Sequence, residues 1–156
     1  MIKEVILQIR PTPKQITMDP IFQTYRPEGF HSVNGYLFLE NPEELISFLS
    51  AVFLAEEMSR TVGDDGKLIR NCVLRIGDSS IMLAQASESF AGMRTCFYMY
   101  VSDVDQVYQR ALEHGAQSVF PPADMEFGDR QGGIMDPAGN YWWISKRLEE
   151  GGYGAS

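Results

Sequence analysis

The sequence of 156 residues is 44% hydrophobic and 22% charged, with 21 acidic against 13 basic side chains and a net charge of −8. That balance excludes the disordered and fibrous classes, argues against a nucleic-acid surface and favours cationic small molecules if the acids line a cleft. A single domain of this length buries roughly 70% of its unfolded surface without a covalent staple, and no apolar run approaches the roughly 18 residues of a membrane span.

Lys3, Glu4 and Gln8 interrupt the apolar core that a secretion signal needs, so a cytoplasmic setting is expected. Residues 1–29 alternate at Val5, Leu7 and Ile9 and then pass through Pro11, Pro13, Pro20 and Pro27, which predicts an extra edge strand and an extended arm. A lid, or a segment exchanged with a partner subunit, is the alternative. "YLFLE" at 36–40 predicts a strand. Residues 42–53 carry Leu45, Phe48, Leu49 and Val52 on one stripe, a helix with Asn41 as cap, Pro42 at its first position and Glu44 completing a capping box. "CVLRI" and "SIMLA" flank Gly77-Asp78 as a hairpin.

The same order then recurs. "CFYMYV" at 96–101 reads as a strand, and Asp103 caps a helix with Val104, Val107, Tyr108 and Ala111 on its stripe, Gln106 at the box position and Gly115 at its end. "GGIM" and "YWWI" flank Asp136-Pro137-Ala138-Gly139 as a second hairpin. Leu39 to Val101 and Asn41 to Asp103 are offsets of 62; Phe53 to His114 and Ile81 to Trp142 are offsets of 61. Such a period marks a duplicated βαβββ unit. The expected class is α+β: one domain at 30–148, with modules at about 30–90 and 93–148, and a flexible tail at 149–156. Two cupped mixed sheets, each covered by one helix, would bring their concave faces together around a cavity. Cys72 and Cys96 lie in apolar runs without metal-ligand spacing and are expected to be reduced core residues.

"NGYLFLENPEELISFLSAVFLAEE", "DGKLIRNCVLRIGDSSIMLA", "YMYVSDVDQVYQRALEHGA" and "FGDRQGGIMDPAGNYWWI" together resemble the PhnB-like branch of the vicinal oxygen chelate superfamily, which includes glyoxalase I, extradiol dioxygenases and bleomycin-resistance proteins. The resemblance covers about residues 30–148. It implies paired βαβββ modules, a homodimer and a ligand cavity between cupped sheets. It also implies a divalent metal in the enzymes, held by His, Gln or Glu near the start of the first strand and on the last strand of each module. Those positions fall at or near Asn34, Met82, Cys96 and Trp143. Tryptophan offers no acceptor and a thioether is a weak ligand for a hard cation, so no metal and no other cofactor is expected.

The resemblance also draws attention to His31, where relatives have a histidine just before the first strand. Near a cavity it could act as acid, base or ligand; bonded to backbone it is structural. Asn71 stands where many relatives carry a histidine, and its amide could bind a ligand or finish a strand edge. In "GDR", Arg130 could clamp an anion while Asp129 bonds a loop amide, or the pair could lock the loop onto the sheet. His114 suits a helix C-terminus. No nucleophile motif occurs. Alternation in "YWWI" sends Trp142 and Trp143 to opposite faces, with Trp143 assigned to the cavity alongside Tyr36, Met82, Tyr98 and Tyr100. These aromatics would stack a planar guest, or else fill the core completely. The expected function is therefore metal-free binding of a small aromatic or cationic molecule such as an antibiotic. The ligand-contact set is His31, Tyr36, Asn71, Met82, Tyr98, Tyr100, Arg130 and Trp143, with no nucleic-acid or membrane partner. A metal-dependent lyase, isomerase or dioxygenase using His31 is the alternative, and an interaction domain the third.

Overall fold

The computed structural model describes residues 18–153; the strand expected at Val5–Ile9 lies outside them. The first module runs β1 (Gly35–Leu39), α1 (Pro42–Phe53), β2 (Glu56–Val62), β3 (Ile69–Ile76) and β4 (Ser79–Gln85). The second repeats it as β5 (Cys96–Tyr100), α2 (Val104–Glu113), β6 (Gln117–Asp124), β7 (Asp129–Met135) and β8 (Tyr141–Arg147). Each module is a four-stranded sheet, ordered β1-β4-β3-β2 and β5-β8-β7-β6. In each, the first strand pairs parallel with the last and the remaining pairings are antiparallel. The repeat extends to register: Tyr36 lies opposite Met82 and Tyr98 opposite Trp143.

Both helices occupy the expected residues, with different starts. Asp103 caps α2 by accepting the backbone N–H of Gln106 at 3.0 Å, and Gly115 takes φ +95 just past its end. Asn41 makes no capping bond to α1, whose start rests on Pro42. At the other end Leu54 adopts the left-handed conformation at φ 56 while 71% exposed. That conformation is unfavourable for a residue with a Cβ, and the exposed side chain has little packing to lose. Leu54→Gly is therefore expected to raise stability by about 0.5–1 kcal/mol, read as a higher urea midpoint at unchanged slope.

The two modules share one core. Leu37, Leu74, Leu83, Leu45 and Leu49 of the first join Ile134, Trp142 and Ile144 of the second. Phe53 at the end of α1 lies 4.9 Å from the Trp142 ring, and Arg110 of α2 donates to the Val52 carbonyl at 3.2 Å. A cleft of about 620 Å³ remains at this junction, lined by Phe53, Ile76, Ile81, Phe97, Met99 and Trp142. These contacts correct the expectation that the concave faces meet within the chain. The faces that meet carry the helices, because the apolar stripes of α1 and α2 and the apolar strand positions all need cover. Among the described residues the opposite faces stay open.

Cys72 is buried as expected, whereas Cys96 is exposed on the open side of β5. The "DPAGN" corner between β7 and β8 is locked by hydrogen bonds. Asp136 is buried and accepts from the Asn140 backbone at 2.9 Å and from the Trp142 indole at 2.8 Å.

Candidate functional site

Strand alternation decides which side chains reach the open faces. On the first sheet these are Tyr36, Phe38, Asn71, Val73 and Met82. The Asn71 amide donates to the Tyr36 hydroxyl at 3.3 Å. Phe38 stacks on Phe90 with ring centroids 5.0 Å apart, and a shallow depression of about 460 Å³ opens around Tyr36, Phe38, Ala84 and Phe90.

On the second sheet the open face carries Tyr98 and Tyr100 from β5, Tyr141, Trp143, Ser145 and Arg147 from β8, and Asp129, Gln131 and Gly133 from β7. Tyr98 and Tyr100 are 46% and 54% exposed, and Tyr36 on the first sheet is 42% exposed, a large aromatic surface left uncovered among the described residues. Trp143 lies edge-on to Phe120, with centroids 5.3 Å apart, and beside Tyr141. Phe120 reaches this position because residue 133 is glycine: a Cβ there would fall 2.3 Å from the Phe120 ring. Trp142 points the other way, into the shared core, stacked on Phe97 at 4.3 Å.

The polar centre of this face is Asp129, which is fully buried. Its Oδ1 accepts from Arg147 Nη1 at 2.9 Å. Its Oδ2 accepts from the hydroxyls of Tyr98 at 2.8 Å, Tyr100 at 3.4 Å and Tyr153 at 2.5 Å. Burial pushes the Asp129 carboxyl up, but the hydrogen bonds from Tyr153, Arg147 and Tyr98 outweigh it and hold the group below the ordinary aspartate range. Tyr153 is pushed well above the ordinary phenol value by its bond to Asp129, and Tyr98 is raised by burial. Both phenols are donors at neutral pH. Beside them Gln131 Nε2 donates to the Ser145 hydroxyl at 2.8 Å in a buried pair.

Of the residues singled out in the sequence, Tyr36, Asn71 and Met82 share one open face, and Tyr98, Tyr100 and Trp143 share the other. His31 and Arg130 stand apart. The His31 ring donates through Nε2 to the Asp78 carbonyl at 3.2 Å, tying the arm to the β3–β4 hairpin. Arg130 follows Asp129 and so points to the other side, where Asp105 of α2 takes it by two bonds at 2.6 and 2.7 Å and Asp124 by a third at 2.9 Å. These ion pairs raise its basicity. "GDR" thus divides its work, with Asp129 on the open face and Arg130 fastening the helix. His114 donates to the Arg110 carbonyl at 2.9 Å, a helix-end role. Arg147, Gln131, Ser145 and Tyr153 were not singled out in the sequence. Counting onward by two from Trp143 reaches Ser145 and Arg147; no local spacing leads to Tyr153.

The four positions at which the resemblance places metal ligands do not fit a divalent cation. Asn34 spends its amide on the backbone of His31, accepting and donating at 2.8 Å. Met82, Cys96 and Trp143 supply a thioether, a lone thiol and an indole, where a hard or borderline cation needs carboxylate or imidazole. Among the described residues no three His, Cys, Asp or Glu side chains come together.

Comparison with known proteins places these observations. The family model described as Glyoxalase/Bleomycin resistance protein/Dioxygenase superfamily matches residues 29–144. An uncharacterized protein of Mycobacterium bovis is 32% identical over 130 residues, covering 76% of this chain and 85% of the relative. Among solved structures, TioX from Micromonospora sp. ML1 is similar with a TM-score of 0.62 at 24% identity, over 75% of this chain and 100% of its own. TnmS3, an antibiotic binding protein from Streptomyces sp. CB03234, is similar with a TM-score of 0.60 at 17% identity, over 79% and 97%. No helix among the described residues is long and apolar enough to cross a membrane. The chain belongs to the glyoxalase/bleomycin resistance protein/dioxygenase superfamily.

Proposed function

We propose that this protein, a member of the PhnB-like branch acting in the cytoplasm, binds a small aromatic or amphipathic molecule without making or breaking a bond. It would do so as a homodimer in which the open face of one chain's first sheet covers the open face of the partner's second sheet. The observation that carries this reading is the pair of aromatic faces left uncovered among the described residues, with Tyr36, Tyr98 and Tyr100 each about half exposed. Aromatic surface of this kind marks a binding region rather than ordinary solvent exposure. Tyr36, Asn71 and Met82 would line one wall and Tyr98, Tyr100 and Trp143 the other. His31 and Arg130 are left out because His31 Nε2 is bonded to the Asp78 carbonyl and the Arg130 guanidinium is paired with Asp105 and Asp124. The net charge of −8 favours a cationic guest, and the fold shared with an antibiotic binding protein supports the class of ligand.

The test is a titration with proflavine, a planar cation, read as tryptophan quenching and paired with sedimentation equilibrium. Expected are a dimer and saturable quenching, with Trp143→Ala weakening binding at least tenfold. A monomer at all concentrations together with unsaturable quenching overturns the reading. So does stoichiometric zinc, nickel, manganese or iron retained through purification and lost on His31→Ala, which would favour a metal-dependent lyase, isomerase or dioxygenase instead.

A further inference from the structure

Tyr153 is held as a guest is held. It follows β8 by a short link, residues 148–152, in which Leu148 donates its backbone N–H to the Gly128 carbonyl at 2.9 Å. Gly151 and Gly152 then run through open space, since a Cβ added to either would meet nothing within 4 Å. Past these glycines the side chain of Tyr153 makes the attachment. Its hydroxyl donates to Asp129 Oδ2 at 2.5 Å, with the hydroxyl oxygens of Tyr98, at 3.2 Å, and Tyr100 beside it. Its ring lies 4.9 Å from the Arg147 guanidinium and 6.4 Å from the Phe127 ring. For all these bonds the residue is 57% exposed.

The receiving side is built in. Asp129 comes from β7, Arg147 from β8, and Tyr98 and Tyr100 from alternate positions of β5, so the carboxylate and its donors are fixed by three hydrogen-bonded strands. A buried carboxylate collecting phenolic O–H donors, next to a guanidinium placed over the ring, recognises two features of its occupant: a hydroxyl on an aromatic ring, and the face of that ring. Arg147 Nε is buried without a partner among the described residues, which leaves one donor for a second oxygen on the occupant.

Resting on the reading of the open face as a ligand site, we propose that the Asp129 centre is a receptor for the phenolic hydroxyl of an aromatic ligand. The chain's own Tyr153 is a tethered stand-in that such a ligand displaces. A tethered competitor acts at an effective concentration in the millimolar range and lowers the apparent affinity of a free ligand by the fraction of time it occupies the site. The tail is thereby a plug that weak, non-phenolic compounds do not dislodge.

The experiment compares p-cresol, the tyrosine side chain as a free molecule, with toluene, the same ring without the hydroxyl, by isothermal titration calorimetry. The proteins are the full chain, Tyr153→Phe and Tyr153→Gly. Removing the plug is expected to tighten p-cresol binding at least tenfold in Tyr153→Gly, with Tyr153→Phe between the two, and the unplugged site is expected to bind p-cresol at least tenfold more tightly than toluene. The exposed position makes an unchanged thermal midpoint the folding control. A p-cresol affinity within twofold of the full chain, or toluene binding Tyr153→Gly as tightly as p-cresol does, overturns the proposal. Proflavine titration of the same variants separates the two levels: retained proflavine binding with no p-cresol gain overturns the phenol receptor alone, and loss of both overturns the ligand site as well.

Discussion

Trp142→Ala is expected to destabilise the protein by roughly 3 to 5 kcal/mol, whereas Trp143→Ala, one residue along, should cost no more than about 1.5 kcal/mol. The two indoles belong to opposite faces of β8. Trp142 is 3% exposed and stands where the modules meet, stacked on Phe97 at 4.3 Å and 4.9 Å from Phe53. Its truncation opens a cavity at the junction of two sheets and a helix, where no single element can move in to fill it, and takes from Asp136 the indole N–H at 2.8 Å. Trp143 forfeits edge-on packing against Phe120 and a tilted contact with Tyr141, and it is only partly buried. Urea unfolding at neutral pH measures both. Equal losses would mean that Trp143 is as much a core residue as Trp142 and that the open face is closed in solution. Trp142→Phe separates the contributions: it keeps a ring but loses the donor, and about 1 to 2 kcal/mol is expected.

The contrast between these tryptophans was legible in the sequence, because alternation along a strand is a local rule and the family resemblance supplied the orientation. The helices were legible for the same reason, each having an apolar stripe at helical spacing. β2 and β6 were not located. Every residue of β2 is exposed, so no alternation of apolar and polar side chains marks it, and β6 carries Pro121 and Pro122, which ordinarily argue against a strand. The mode of packing was also out of reach. A duplicated module predicts two similar sheets but not whether they meet through their helices or their concave faces; that depends on the summed complementarity of Phe53, Phe97 and Trp142, which are far apart in the chain. Asp129 shows the same limit at the site. Its partners Tyr98, Arg147 and Tyr153 lie 31, 18 and 24 residues away, and only the pairing of β5, β8 and β7 brings them to one carboxylate. Arg130, by contrast, looked available because Asp105, which takes it by two bonds, is 25 residues away, and Asp124, though six away, reaches it only through the β6–β7 pairing.

Asp129→Asn is expected to lower stability by on the order of 3 kcal/mol at neutral pH, the scale for removing one partner of a buried ion pair, and to flatten the acid limb of the stability curve. The asparagine keeps one carbonyl oxygen for Tyr98 or Tyr153 but presents an amide to Arg147 Nη1, which then faces a donor in the place of the acceptor that stood 2.9 Å away. The pH dependence follows from the direction of the shift. With Arg147, Tyr98, Tyr100 and Tyr153 around it, the folded carboxyl is held below its unfolded value, so the unfolded chain binds the proton more readily. The stabilisation is complete above the unfolded value of about 4 and is lost as pH falls through the lower, folded one. Urea unfolding at pH 7, 5, 4 and 3 should therefore show a constant gap between the native protein and Asp129→Asn down to about pH 5, narrowing below about pH 4. A gap that persists undiminished to pH 3 would show that the loss comes from misfitted packing and not from the charge. A gap that is absent at pH 7 would show that Asp129 carries no net charge in the fold, and with it the ground for the phenol and guanidinium donors converging on that carboxylate would go.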